Sequence, residues 1–210
     1  LDESLLGLPS SRALNLHFRG LCAEVGKRVP TDRPAKVTVI GVGCGALVSD
    51  LTIRLGRSGA TLRLVDGDTE VLESVDMGMS VRPSKMNLEF VRIDLGLLAL
   101  GRARLPLDSQ DIVIVNGLAS HLPDRLLAGL VRGLRPQVRD GGRLLLSGLA
   151  PSRDSVVFDH LLAWPMIRRS ARQFSGLLEA EGFQVDSTNL GREDDDCALL
   201  ITAVPCSSED

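Results

Sequence analysis

The sequence predicts an α/β protein on a doubly wound seven-stranded sheet, with five parallel strands followed by a C-terminal antiparallel hairpin. Three observations carry this. From Val37 onward, short β-branched runs alternate with stretches of helical periodicity. The first run opens straight into a glycine-rich turn, GVGCGAL, at 41–47. The last two apolar runs have no helix between them, only the polar tip GREDDD.

The elements follow in order. Ser10–Gly26 reads as a helix with Leu14, Phe18, Leu21, Cys22 and Val25 on one face. Lys27–Pro34, with two prolines and mixed charge, reads as a linker. It divides the chain into an N-terminal helical segment, 1–34, and a ligand-binding domain, 35–210. Val37–Val42 is the first strand and Leu47–Leu55 a helix; Thr61–Val65 is the second strand. Asp68 can cap the next helix, whose face is Val71, Leu72, Val75 and Met79. Leu88–Ile93 and Asp111–Val115 are strands three and four. Pro123 stands near the first turn of a helix striped by Leu126, Leu127, Leu130, Val131 and Leu134. Asp140-Gly141-Gly142 reads as a turn, after which Arg143–Leu146 begins strand five. Ser170 with Gln173 forms a capping box, and Gly182 ends that helix. Phe183–Ser187 and Ala198–Val204 form the hairpin.

The bulk numbers narrow the function classes. A chain of 210 residues, 44% apolar and 24% charged, fits one ordinary globular domain. No run of about 18 apolar residues exists, so no membrane span is expected. A net charge of −3 and only 3% aromatic residues argue against a nucleic-acid partner. The cysteines (22, 44, 197, 206) and histidines (17, 121, 160) are scattered, which predicts no metal site and a reduced, cytoplasmic compartment. The N-terminus, LDESLLGLPSS, is acidic and lacks the basic start of a secretion signal. A neighbouring domain or a homo-oligomer stays open.

A parallel sheet of this kind takes its ligand at the carboxyl ends of its strands, where the strand order reverses. That rule gathers Gly41, Gly43, Gly45, Asp66, Asp94 and Asn116 on one rim. Glycines let backbone approach a ligand closely, and the following helix turns its first N–H groups toward the turn. Asp66, 21 residues past Gly45, suits a ribose diol, and Asp94 an adenine amino group. Gly41, Gly43 and Ala46 also satisfy a dinucleotide fingerprint, although no second half able to hold a nicotinamide is evident.

Two family resemblances bear on the choice. The stretch GCGALVSDLTIRLGRSGATLRLVDGDTEVLESV is similar to the nucleotide-binding part of the ubiquitin-activating adenylating enzymes. It covers Gly41 to about Val75, with only Arg82 and Lys85 available for phosphates. A longer resemblance covers nearly the whole chain. VIGVGCGAL, LVDGD, DIVIVNGLASHLPD, LRPQVRDGGRLLLSGL and LLEAEGFQV resemble successive motifs of the class I S-adenosylmethionine-dependent methyltransferases. It implies a Rossmann-like methyltransferase fold and S-adenosyl-L-methionine as cofactor, held by Gly41, Gly43, Gly45, Asp66, Asp94 and Asn116. Two positions depart from the pattern. Gly41 stands where an Asp is common, and Leu47 where the last glycine is common. Without that Asp, backbone carbonyls would have to hold the methionine amino group. NGLASHLPDRLLAGLVRGLRPQVRDGGRLLLSGLAP with FDHLLAWPMIRR, and the lead segment PSSRALNLHFRGL, resemble the branch that makes 3-hydroxy fatty acid methyl esters.

Methyl transfer to a small-molecule acceptor follows as the expected function, the acceptor being a carboxylate of a fatty or polyketide-like acid. Pro151–Arg169 follows strand five and is expected over the acceptor, mixing Phe158, Leu161, Leu162, Trp164, Met166 and Ile167 with Arg153, His160, Arg168 and Arg169. His160, Trp164 and Arg169 are taken as acceptor-binding residues. His121, just after strand four, is the candidate base for an alcohol or amine acceptor. A non-catalytic binding or partner domain of the same fold is the first alternative, and the adenylating enzyme the second.

Overall fold

The computed structural model describes residues 9–43, 45–79, 85–106, 108–152, 155–161, 163, 165–190 and 198–206. The element order is α1 (Pro9–Arg28), β1 (Lys36–Ile40), α2 (Ala46–Leu55), β2 (Thr61–Asp66), α3 (Thr69–Met79), β3 (Asn87–Arg92), α4 (Leu95–Ala99), β4 (Gln110–Val115), α5 (Asp124–Leu134), β5 (Val138–Leu149), α6 (Ala171–Ala180), β6 (Phe183–Leu190) and β7 (Ala198–Pro205). The sheet order is β3-β2-β1-β4-β5-β7-β6. β1 to β5 pair in parallel, and β7 runs antiparallel between β5 and β6.

Both faces of the sheet are covered. Alternate residues of one strand feed different cores: Val113 and Val115 face the α4–α6 side, Ile112 and Ile114 the α1–α3 side. The N-terminal segment is part of the second core, where Leu21, Cys22 and Val25 of α1 lie buried. Burial first, then the Asp50 charge, pushes the Cys22 thiol up to about 12, so it behaves as an inert apolar filler.

Register sets the rim. Ile40 pairs with both Val65 and Val115, Val115 pairs with Leu146, and Asp66 pairs with Arg92. Strands β1 to β4 therefore stop at nearly one level, and the residues just past their ends emerge side by side.

At the opposite edge, the carboxylate of buried Asp111 accepts hydrogen bonds from Arg33 (3.0 Å to Nη1), from the Lys36 backbone N–H (2.8 Å) and from Arg139. Burial alone would raise the Asp111 pKa. The bonds from Arg33, Lys36 and Arg139 outweigh it and hold the carboxyl below its ordinary range. Beside it, Lys36 and Arg63 pair with Asp108, Arg63 with Glu89, and buried Thr38 donates to Gln110 at 2.9 Å.

The structure differs from the sequence reading at three places. Asp140-Gly141-Gly142 is a bulge inside β5, with a register shift against Gln110 and Ile112, not a turn before it. Leu95–Ala99 is a short helix capped by Asp94, too short to leave a periodic signal. Lys27 and Arg28 belong to α1, so the linker is shorter than expected, and Arg33 within it is anchored on Asp111. The hairpin tip 191–197 lies outside the described residues.

Candidate functional site

The glycine turn sits between the end of β1 and α2. Gly43 has φ +58, and a Cβ there would meet nothing within 4 Å. Protein packing does not require a glycine at 43; the left-handed backbone favours one, and the space above it is open. Gly41 is different. Its φ is +82, and a Cβ would come within 2.9 Å of the Asn116 carbonyl oxygen and 3.0 Å of Leu118 Cγ. Gly45 forms the left-handed N-cap of α2 with no side-chain cap bond, which leaves that helix's first N–H groups facing the turn.

Asp66 closes the other side. Its Oδ2 accepts from Val42 N–H at 2.8 Å and its Oδ1 from Asp68 N–H at 3.1 Å. These bonds fix the carboxylate against the glycine turn and leave each oxygen a further lone pair. Asp68, as its position suggested, accepts from Glu70 N–H at 2.9 Å at the start of α3. Asp94 is exposed at the neighbouring strand end, where its Oδ1 caps α4 through Leu97 N–H at 2.9 Å. Asn116 completes the rim. Its Nδ2 donates to Gly41 O at 2.9 Å, and its backbone N–H to Ile40 O at 2.9 Å. Its Oδ1 is buried with no hydrogen-bond partner among the described residues.

The loop after β4 is held by buried polar side chains that the sequence reading did not select. Ser147 Oγ accepts from Gly117 N–H and donates to Val115 O, both at 3.1 Å. Ser120 Oγ accepts from Leu149 N–H at 3.2 Å, while its carbonyl accepts from Ile167 N–H at 2.7 Å. The signal for Ser147 was present: it is the single polar residue in the buried run LLLSGL.

Three of the four residues expected at the acceptor are described. His121 is exposed at the rim, just after a short 3-10 turn at Leu118–Ser120. His160 is exposed in a π-helical turn, Val157–Leu161. Arg169 is buried and bonded within the protein: to Asp124 at 2.8 Å, to Leu122 O at 2.7 Å and to Ala119 O. With its Nε, Nη1 and Nη2 so engaged, it ties this segment to the loop after β4. Trp164, Arg153 and Leu162 lie outside the described residues.

The neighbouring Arg168 was not selected as a site residue, yet it has donors to spare. Its Nη1 bonds Asp159 at 2.9 and 3.0 Å, while its Nε and Nη2 are buried without a partner among the described residues. Arg168 holds the Asp159 carboxyl below its ordinary range, against the opposing effect of burial. Among the described residues, Ala163 is the one non-glycine with positive φ, at +48. A π turn and a left-handed alanine in one segment mark stored strain, which is common where ligands bind.

Two alternative sites lose support here. Lys85, one of two cations available to an adenylate, has its backbone N–H on Gly56 O, at the end of the sheet opposite the glycine turn. Arg82 lies outside the described residues. The dinucleotide fold has strand order 3-2-1-4-5-6, whereas here an antiparallel β7 is inserted between β5 and β6. Among the described residues no three His, Cys, Asp or Glu side chains converge as a metal set, and no helix is long and apolar enough to cross a membrane.

No family model matches the chain, and no curated protein matches it by sequence. Solved structures do match. A possible exported protein from Bordetella parapertussis aligns with TM-score 0.75 at 19% identity, over 95% of this chain and 70% of that one. The mitomycin 7-O-methyltransferase MmcR aligns with TM-score 0.69 at 17% identity, over 93% of this chain and 55% of that one. A Burkholderia thailandensis 1,6-didemethyltoxoflavin-N1-methyltransferase, solved with its substrate and S-adenosylhomocysteine, gives TM-score 0.65 at 17% identity, over 93% of this chain and 79% of that one. The chain thus spans little more than half the length of MmcR. Together with the strand order, these likenesses establish a Rossmann-like methyltransferase fold.

Proposed function

We propose that this chain is an S-adenosylmethionine-dependent methyltransferase acting on a small molecule. One observation carries the reading: an open glycine turn and a strand-end carboxylate, Asp66, meet on one rim of the sheet, joined by the Val42–Asp66 hydrogen bond. The residues present fit the cofactor. Asp66 has lone pairs for a ribose diol, Asp94 at the next strand end would accept from an adenine amino group, and the open space above Gly43 leaves room for a ligand. When bound, the cofactor supplies a methyl already activated on a sulfonium. The protein's share of the work is alignment and exclusion of water.

We favour a carboxylate acceptor, of a fatty or polyketide-like acid. Support comes from the cations of the segment after β5, among them Arg168, whose Nε and Nη2 are buried without a partner among the described residues. Ile167 and Val156 of the same segment are exposed and supply apolar surface. The reading moves the anion-orienting role from Arg169, whose donors are engaged, to Arg168. A carboxylate needs no general base. An alcohol or amine would, and His121 at the rim would then serve. The 3-hydroxy fatty acid ester branch rests on sequence resemblance alone. A non-catalytic relative is the second reading, favoured by the departures at Gly41 and Leu47.

The test is transfer of an isotopically labelled methyl group to a panel of acids, alcohols and amines. Labelled esters, lost in Arg168→Gln with cofactor affinity retained, are the expected result. Transfer to amines alone would overturn the carboxylate, and cofactor binding without any transfer would favour the second reading.

A further inference from the structure

The α4–α6 side of the molecule carries a groove of about 840 Å³ that the rim site does not use. Its floor is the close approach of α4 and α5. A Cβ added at Gly129 would come within 2.1 Å of Ala99 O, so the two backbones touch there. Leu98, Leu100, Leu105 and Leu126 give the groove its apolar lining, and Leu100 is 51% exposed. The charge of the lining has one sign. Arg104, Arg125 and Arg132 border the groove, and among the described residues no acid does. Arg132 is already forked onto Glu181, at 2.7 and 2.8 Å. Asp124, the neighbour of Arg125 in the chain, is held by Arg169 at 2.8 Å. Arg104 and Arg125 are exposed and make no hydrogen bond or ion pair among the described residues. In a chain of net charge −3, such a groove is a local excess of positive charge, and it selects an acidic partner.

The shape favours a rod. Arg125 and Gly133 stand eight residues apart on α5, about 12 Å along its axis, and the groove follows that length. A Cβ at Gly133 would meet nothing within 4 Å, so the far end is open. A small-molecule pocket encloses most of its ligand, whereas this groove keeps its cations exposed. A helix lying in it would set carboxylates on Arg104 and Arg125, one from each wall, and its apolar face on Leu100 and Leu126. We infer that this groove is the docking surface for an acidic amphipathic helix of a partner protein. The inference stands apart from the methyl-donor reading, because neither the glycine turn nor Asp66, Asp94 or Asn116 lines the groove.

The test titrates the full chain with three stapled helical peptides of about 14 residues, roughly 20 Å long, that share one leucine face. Their polar faces are all Glu, all Gln or all Lys. Fluorescence anisotropy should show the Glu peptide binding about tenfold or more tighter than the Gln peptide, with the advantage shrinking as salt rises. The Lys peptide should be the weakest. Arg104→Glu and Arg125→Glu should each weaken the Glu peptide about tenfold. Gly133→Glu adds bulk and negative charge to open space at no cost in helix propensity, and should weaken it likewise. Melting curves report that the variants are folded; should Gly133→Glu not fold, the two arginine variants decide. Binding of none of the peptides, equal binding of all three, or binding that survives these substitutions would overturn the inference. So would binding of phosphatidylserine vesicles or duplex DNA, lost in the same variants, in place of the Glu peptide.

Discussion

The two ends of the sheet treat polar groups in opposite ways. At the edge where the strands begin, Asp111 is buried under two guanidiniums and a backbone N–H, and Thr38 with Gln110 satisfy each other. At the edge where the strands end, Asn116 Oδ1 and two Arg168 nitrogens are buried without partners among the described residues. The other such atoms, Arg143 Nε and Thr202 Oγ1, lie along β5 and β7, and Arg143 Nε has Asp186 3.7 Å away. A fold gains nothing from unpaired buried groups. The residues that carry them at this end, Asn116 and Arg168, follow β4 and β5 on the rim that also holds the positive-φ glycines 41, 43 and 45.

Neighbouring arginines give the largest contrast. Arg169 serves the fold, so Arg169→Met should lower stability by about 2–4 kcal/mol, since it strips buried carbonyls of their donor. Chemical denaturation measures this; a loss under about 1 kcal/mol would show that the tie is dispensable.

Asp66 should act mainly on the ligand. Asp66→Ala is expected to weaken S-adenosylhomocysteine binding by about 1–3 kcal/mol, read by calorimetry. Unchanged affinity in a folded variant would reject the ribose role.

Two glycines sharpen the comparison further. Gly43 (φ +58) and Gly141 (φ +72) both have open space where a Cβ would sit. Alanine at either should cost about 1–2 kcal/mol of stability. Only Gly43→Ala, at the rim, should also weaken the nucleoside; equal affinity in the two variants would contradict a rim site.

The smallest effect concerns acid. Asp111 has a folded-state pKa below the unfolded value of about 3.9, so its contribution is present above that pH and is lost as pH falls through the folded value. Asp111→Asn should flatten the fall in melting temperature below about pH 4. An unchanged slope would mean that other carboxylates carry the acid sensitivity.

Much of this was legible in the sequence, for physical reasons. Strands such as Val37–Ile40 and Ile112–Val115 are buried on both faces and read as continuous apolar runs. The capping box at Ser170 and Gln173 is a local motif and forms as read. Asp66 could be placed on the rim because it ends the second strand, 21 residues past Gly45. Arg168 and Arg169 could not be told apart, since adjacent residues differ only in the direction the chain turns them. Gly41 could be read as a departure from the resembling family, which commonly has an Asp there. That Asn116 lies over it depends on a contact 75 residues away, which periodicity does not encode.

The most direct test is a structure of the chain with S-adenosylhomocysteine bound. The account predicts ribose hydroxyls within about 2.5–3.0 Å of the Asp66 carboxylate and adenosine lying over Gly43. A nucleoside seated elsewhere, or the Asp66 carboxylate facing solvent with the crevice closed by protein, would contradict it.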